Sequence, residues 1–213
     1  MSKVEWFRRE TWTNTDREDF NARLNRSRGA GNKAQYLRIQ AHHLASVGRH
    51  HEALELLGRL LDEFPERIQL AQAHAQRAES LARLDRTDDA VGAYREALQA
   101  ERRFPHVRTG AWLDFGWFVV GRNLEAHYDE VSNVLAEFGE LDVQIFPVRL
   151  YRYAAIRAFL ADARGEREAA RRFARQAMEE ASKTHSGLRY HASLGLVPDH
   201  DSLRQRLRLL AEN

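Results

Sequence analysis

Gly48-Arg-His-His-Glu-Ala53 is the segment that decides the fold, because it ends one helical pattern and opens the next. Three later segments repeat its layout: Asp85-Arg-Thr-Asp-Asp-Ala90, Gly121-Arg-Asn-Leu-Glu-Ala126 and Gly165-Glu-Arg-Glu-Ala-Ala170. The four starts lie 37, 36 and 44 residues apart. A period of this size predicts one helix-turn-helix unit repeated along the chain.

Apolar side chains on either side of the first turn follow helical spacing. Leu37, Ala41 and Leu44 share one face before the turn, and Phe64-Pro65 ends the helix after it. Small residues recur at the positions where two helix axes would approach most closely, and large residues fill the gaps between them. These small residues are Ala41, Ala53, Ala78 and Ala90.

With these residues the chain resembles the tetratricopeptide repeat family, whose 34-residue unit has small and large residues at fixed positions. Residues 34–65 carry the pattern, except that Leu60 stands where the family has alanine. Residues 71 onward carry it with Asp85 in place of the turn glycine.

The third and fourth copies depart further from the family pattern. Gly121 and Ala126 keep their places in the third copy, but Asp114 falls where a small residue is expected. The fourth copy fits around Gly165 at a longer spacing. The resemblance covers about two-thirds of the chain.

The resemblance implies an all-α fold: a right-handed superhelical α-solenoid of about four antiparallel helix-turn-helix repeats with N- and C-terminal capping helices. We expect an aromatic segment and capping helix over residues 1–32, followed by four repeats and a capping segment over residues 185–213. The expected repeats are 33–66, 67–105, 106–142 and 143–184.

Local signals describe the two ends. Thr15-Asp-Arg-Glu18 has the pattern of a capping box and predicts a helix over residues 16–28. Residues 27–32 then read as a linker, and the aromatic residues Trp6, Phe7 and Trp12 are expected to cover the open end of the stack. Near the C-terminus, leucines in residues 201–210 form one apolar stripe on a final helix.

Composition excludes several classes of site. The chain has no cysteine, so it can hold no disulfide, thiolate metal site or cysteine nucleophile. No apolar run approaches the ~18 residues that span a bilayer, and we expect a cytoplasmic protein. The histidines around the first turn, His42, His43, His50 and His51, lack a recognised metal-ligand spacing. We expect no metal, no cofactor and no catalysis.

The first helix of each tetratricopeptide unit lines a concave surface in that family. The resemblance therefore implies a groove in which arginines lie beside aromatic rings, which suits a peptide with acidic and apolar side chains. The residues placed in this groove are Arg38, His42, Arg108, Phe115, Phe118, Arg152 and Phe159. The carboxylate clamp of chaperone-binding members is not reproduced, because Arg38, His42 and Gln76 stand where the family has lysine and two asparagines.

Residues 107–120 allow two interpretations. Trp112, Phe115, Trp117 and Phe118 supply more aromatic rings than one helix seam needs, and exposed aromatics beside arginine are typical binding anchors. A helix that is buried on several sides has the same composition. The sequence leaves both open.

The leading hypothesis is a non-enzymatic scaffold that binds a protein or peptide in its groove. One alternative is a regulatory or immunity-type protein that neutralises a partner protein. Another is nucleic-acid binding, because residues 145–213 carry 13 basic and 8 acidic groups, whereas residues 34–144 carry 12 and 18. This asymmetry would also suit end-to-end self-association.

Overall fold

The computed structural model describes residues 5–139, 146–199, 201 and 203–212. Over these residues the chain is all-α, with no residue in a strand, which confirms the predicted fold class. The α-helices are α1 (Asn14–Arg26), α2 (Ala30–Ser46), α3 (His50–Glu63), α4 (Arg67–Arg83), α5 (Thr87–Arg103), α6 (Ala111–Gly121), α7 (Tyr128–Phe138), α8 (Pro147–Ala163), α9 (Arg167–Ala181) and α10 (Arg204–Glu212). A 3-10 turn, Glu125–His127, precedes α7.

The helices form two compact units, Met1–Ala111 and Trp112–Asn213. In the first unit α2 packs on α3, α3 on α4 and α4 on α5, and α2 also contacts α4. In the second unit α7 packs on α8, α8 on α9, and α10 on both α8 and α9. In both units, helices that are consecutive in the sequence therefore pack on one another, as a helical-repeat pattern predicts.

Each of the four turns contains one residue in the left-handed region of backbone space. These residues are Gly48, Asp85, Asn123 and Gly165, with φ angles of 81°, 57°, 53° and 74°. The next residue's amide then donates to the carbonyl oxygen five residues earlier, in the pairs Arg49–Leu44, Arg86–Leu81, Leu124–Val119 and Glu166–Ala161. The first helix of every hairpin thus ends with the same hydrogen-bond pattern.

The third hairpin corrects the sequence alignment by two residues. Asparagine adopts the left-handed conformation more readily than most residues, because its short polar side chain can bond locally. Asn123 can therefore hold the turn position that the sequence assigned to Gly121, although glycine adopts this conformation more readily still. Seven residues before this position, where the other hairpins have alanine, the third hairpin has Gly116. A small residue is retained there, and Asp114 does not occupy the position.

Gly116 lets α6 approach two neighbouring helices. A Cβ atom at this position would lie 2.9 Å from Cδ1 of Ile156 on α8 and 3.2 Å from Cγ1 of Val131 on α7. Both neighbours are fully buried. Since carbon atoms in contact normally lie about 3.5–4.0 Å apart, a larger residue at this position would force these side chains to shift.

Aromatic rings cover the start of the first unit. The Trp6 ring centroid lies 5.3 Å from that of Phe20 on α1 and 4.8 Å from that of Tyr36 on α2. The Trp12 ring also packs against Phe20, with a centroid distance of 5.3 Å. Phe20 is fully buried, so the N-terminal aromatic segment closes the apolar face of α1 and α2.

The capping box before α1 lies two residues earlier than the sequence pattern predicts. The amide of Thr13 donates to the Asp16 carboxylate at 2.9 Å, and the amide of Asp16 donates to the Thr13 hydroxyl at 3.2 Å. Thr15 and Glu18 have the same spacing but lie inside the helix. Two overlapping pairs of similar chemistry occur here, and the sequence pattern alone selected the wrong one.

The linker before the first hairpin is shorter than predicted. α2 already begins at Ala30, so the second half of residues 27–32 is helical. Gly29 provides the change of direction, with a φ of 81°.

The C-terminal helix covers the end of the second unit. Leu203 and Leu207 are buried at 4% and 0% exposure. Arg204 on α10 donates from Nη2 to the Ala181 carbonyl oxygen at 3.0 Å, which ties α10 to the end of α9. Among the described helices, none is both long and apolar enough to cross a membrane.

Candidate functional site

α2 and α4 present a polar face in the first unit, with amide side chains around one arginine. We call it the α2/α4 face and define it by Gln35 and Arg38 on α2 and Gln69, Gln72 and Gln76 on α4. Residues three or four apart lie on the same side of a helix, and both rows follow that spacing. Because α2 and α4 contact each other, the two rows lie side by side.

Arg38 is the cation of this face, and the exposed Glu79, three residues after Gln76 on the same side of α4, adds one carboxylate. Its Nε donates to Oε1 of Gln69 at 2.7 Å. No carboxylate pairs with Arg38 in the described part of the chain, and burial alone lowers its pKa. A guanidinium nevertheless stays protonated in proteins. Arg38 is thus a half-buried cation whose only described partner is a neutral amide, and its terminal N–H groups can bind an oxyanion.

The glutamines supply hydrogen-bonding groups of both kinds. Oε1 of Gln76 is buried and has no hydrogen-bond partner. Gln72 is half-buried and Gln35 is exposed. An amide side chain both donates and accepts, so this row can bind the backbone N–H and C=O groups of an extended segment.

His42 lies one turn beyond Arg38 on α2 and is exposed. Its ring packs edge-on against His43 at 5.7 Å. Burial, and then the neighbouring charge of His42, lowers the pKa of His43. Over the described ranges, no three His, Cys, Asp or Glu side chains are grouped so that they could hold a metal ion.

Arg108 lies beside a buried carboxylate after α5. Its Nη1 is 4.0 Å from Oε2 of Glu101, whose side chain is completely buried. The amide of Thr109 donates to the other Glu101 oxygen at 3.0 Å. Arg108 and Thr109 thus help to compensate a buried charge, which is a structural role for a residue that the sequence placed in the groove.

The aromatic residues of α6 divide between the core and the surface. Trp112 and Phe115 are buried at 2% and 0% exposure, so Phe115 offers no surface to a partner in this structure. Trp117 and Phe118 are half-buried. The guanidinium of Arg122 lies 5.7 Å from the Phe118 ring. Burial in the core is therefore the outcome for Trp112 and Phe115, whereas Trp117 and Phe118 are only partly covered.

Arg152 and Phe159, the remaining two groove candidates, lie on α8. Arg152 donates from Nη1 to Oδ1 of Asp114 at 3.2 Å and lies over the Trp117 ring at 5.4 Å. Phe159 is 3% exposed, and Arg206 of α10 covers its ring at 4.5 Å. The capping helix thus occupies the side of Phe159 that the sequence assigned to a ligand.

The seven predicted groove residues belong to two units, and only some of them share a surface. Arg38 and His42 lie together on α2. Arg152 lies beside Trp117. Trp117 was not among the predicted groove residues, because the third repeat had been aligned two residues too early. Sequence reasoning missed Gln69, because the family pattern was matched only from residue 71 onward, although the second repeat was expected over residues 67–105. The spacing of Gln69, Gln72 and Gln76 along one helix side was the available signal.

The basic excess of residues 145–213, which suggested nucleic-acid binding, is interrupted by acidic residues on α9. Arg171, Arg172 and Arg175 share their surface with Glu168 and Glu179. A mixed surface of this kind attracts phosphate weakly, since nucleic-acid affinity depends on unopposed positive charge.

No protein-family model matches the chain. A search of curated proteins likewise finds no match.

Proposed function

We propose that the chain is a non-enzymatic, tetratricopeptide-like binding protein of the cytoplasm, and that its α2/α4 face binds a partner segment with an acidic side chain. The observation that carries this proposal is Arg38, a half-buried guanidinium without a described carboxylate partner. The resemblance to the repeat family supports the same face, because it places Arg38 and His42 on a ligand-binding surface.

Specificity would come from charge and from the amide rows together. The Arg38 guanidinium would donate to the carboxylate of an Asp or Glu side chain in the partner. Gln72 and the exposed Gln35 would bind the partner's backbone through their side-chain amides. Because rigid helices hold these groups, little conformational entropy is lost on the protein side.

Peptide selection followed by affinity measurement tests the proposal. Peptides are selected from a random display library on the wild-type chain, and their dissociation constants are measured by fluorescence anisotropy. We expect the selected peptides to contain Asp or Glu. Arg38→Gln should weaken the binding of these peptides by about 1.5–3 kcal/mol, the contribution of a hydrogen bond to a charged group. This corresponds to a dissociation constant about 10- to 150-fold higher.

Arg77→Gln is the matched control. Arg77 is exposed on α4, five residues after Gln72, and therefore lies on another side of that helix. Its removal should change affinity by about twofold or less, as for a screened surface charge. Selected peptides without acidic residues, or equal losses in the two variants, would contradict the proposal.

A further inference from the structure

α7, α8 and α9 line an open pocket in the second unit that the predicted groove does not include. Its volume is about 300 Å³. Ser132 from α7, Tyr153, Arg157 and Arg164 from α8 and its end, and Phe173 from α9 line it. The volume is at the lower end of the range for small-molecule sites, so the pocket fits a small ligand better than a peptide chain.

Arg157 is held in this pocket by aromatic rings. Its guanidinium carbon lies 3.8 Å from the centroid of the Phe173 ring and 5.4 Å from that of Tyr153. No carboxylate or carbonyl accepts a hydrogen bond from Arg157 in the described part of the chain. Stacking over an aromatic face fixes the plane of a guanidinium and leaves its in-plane N–H donors available.

Arg164 adds a second cation with a weak existing partner. It donates from Nη2 to the Ser132 hydroxyl at 2.6 Å and to Oδ1 of Asp129 at 3.1 Å. The Asp129 side chain is 94% exposed, so solvent screens this ion pair. Glu166 also lines the pocket, and the two arginines therefore outnumber the single carboxylate of the lining.

The rest of the wall is apolar, with Leu135 and Leu160 beside the Phe173 ring. We propose that this pocket binds a small organic anion in which a phosphate or carboxylate group is attached to a ring or a short apolar group. The Arg157 and Arg164 guanidinium groups bind the oxyanion, and the leucine and aromatic side chains contact the apolar part. This site is independent of the α2/α4 face.

Isothermal titration of the full chain with four probes tests the proposal: phenyl phosphate, phenylacetate, inorganic phosphate and benzyl alcohol. We expect phenyl phosphate or phenylacetate to bind detectably at about 1 mM, or about −4 kcal/mol, which is well within the ceiling for a ligand of about ten non-hydrogen atoms. The tighter of the two identifies the anion. Inorganic phosphate should bind more weakly than phenyl phosphate, because it lacks the ring.

Arg157→Gln should weaken binding of the tighter-binding anion by about tenfold or more, as for loss of a charge-assisted hydrogen bond. Arg172→Gln is the matched control, since Arg172 also lies over the Phe173 ring, at 4.9 Å, but does not line the pocket. Ala136→Phe should abolish binding by filling the pocket from α7 without removing a charge. This second variant decides the test if circular dichroism shows that Arg157→Gln is unfolded.

Three outcomes would overturn the proposal. Neither anion binds the wild-type chain at about 10 mM, or benzyl alcohol binds as tightly as the anions, or Arg172→Gln loses as much affinity as Arg157→Gln. Equal affinity for benzyl alcohol would mean that the pocket is merely an apolar cleft.

Discussion

The close contact at Gly116 gives a stability prediction with a worked magnitude. In Gly116→Ala the new Cβ would lie 2.9 Å from Ile156 Cδ1 and 3.2 Å from Val131 Cγ1. Overpacking of this kind costs about 1–3 kcal/mol, and the better helix propensity of alanine returns about 0.5–1 kcal/mol. We expect Gly116→Ala to lower the free energy of unfolding by about 1 kcal/mol, the middle of the resulting range.

A second substitution identifies the atom responsible. Ile156→Val removes Cδ1, the atom closest to the new Cβ, and alone should cost about 0.5–1.5 kcal/mol. In the Gly116→Ala background, Ile156→Val should lower the free energy of unfolding by less than it does alone, or should raise it. The coupling energy between the two sites should be about 1 kcal/mol. Gly116→Val, which adds two more methyl groups, should destabilise by about 3 kcal/mol.

Urea unfolding followed by circular dichroism measures these differences, and hydrogen exchange of the α6 and α8 amides assigns them to the second unit. Gly92→Ala in α5 is the control, because a Cβ there meets nothing within 4 Å. The free energy of unfolding of that variant should rise by about 0.5–1 kcal/mol. If Gly116→Ala raises the free energy of unfolding as much as Gly92→Ala does, the close approach of α6 to α7 and α8 is refuted.

Three further predictions test the turns, the capping box and the pH dependence of the capping box. Gly165→Ala should lower the free energy of unfolding by about 1–2 kcal/mol, since Gly165 has a φ of 74°. Gly121→Ala should leave the free energy of unfolding unchanged. Equal losses for the two variants in urea titrations would restore the alignment on Gly121. Thr13→Ala should lower it by about 1 kcal/mol and Thr15→Ala should have little effect; the reverse order would return the capping box to its sequence-based position. Hydrogen bonds from the Thr13 amide and hydroxyl lower the pKa of Asp16 to about 2. The stabilisation by Asp16 should therefore be present above about pH 4 and fall as the pH drops toward 2. An Asp16→Asn variant that loses as much stability in acid as the wild type would contradict this.

The helical hairpins could be predicted from the sequence because each turn carries its own local signal. Gly48 and Gly165 mark left-handed positions that side chains rarely adopt, and the apolar spacing on either side is helical. Asn123 was missed because a nearby glycine, Gly121, gave a stronger signal of the same kind. Local conformational preference fixed the hairpins, but it could not fix the register of the third one, which depends on packing at Gly116.

The candidate sites were less predictable, because exposure depends on what covers a helix face. Arg38 was placed on a binding face from its repeat position alone. Phe159 has an equivalent position, but α10 covers it, and helical periodicity does not show which element packs on a face. The pocket at Arg157 had no sequence signal, since three helices that are separate in the sequence combine to form it.

The most direct test of binding at the α2/α4 face is a nuclear magnetic resonance titration with the tightest selected acidic peptide. The signals observed are the Arg38 Nε–H and the side-chain amides of Gln69, Gln72 and Gln76. Binding at this face predicts that these four signals shift together at the same peptide concentrations, and that the peptide causes none of these shifts in Arg38→Gln. Shifts confined to other residues while these four signals stay in place would contradict it.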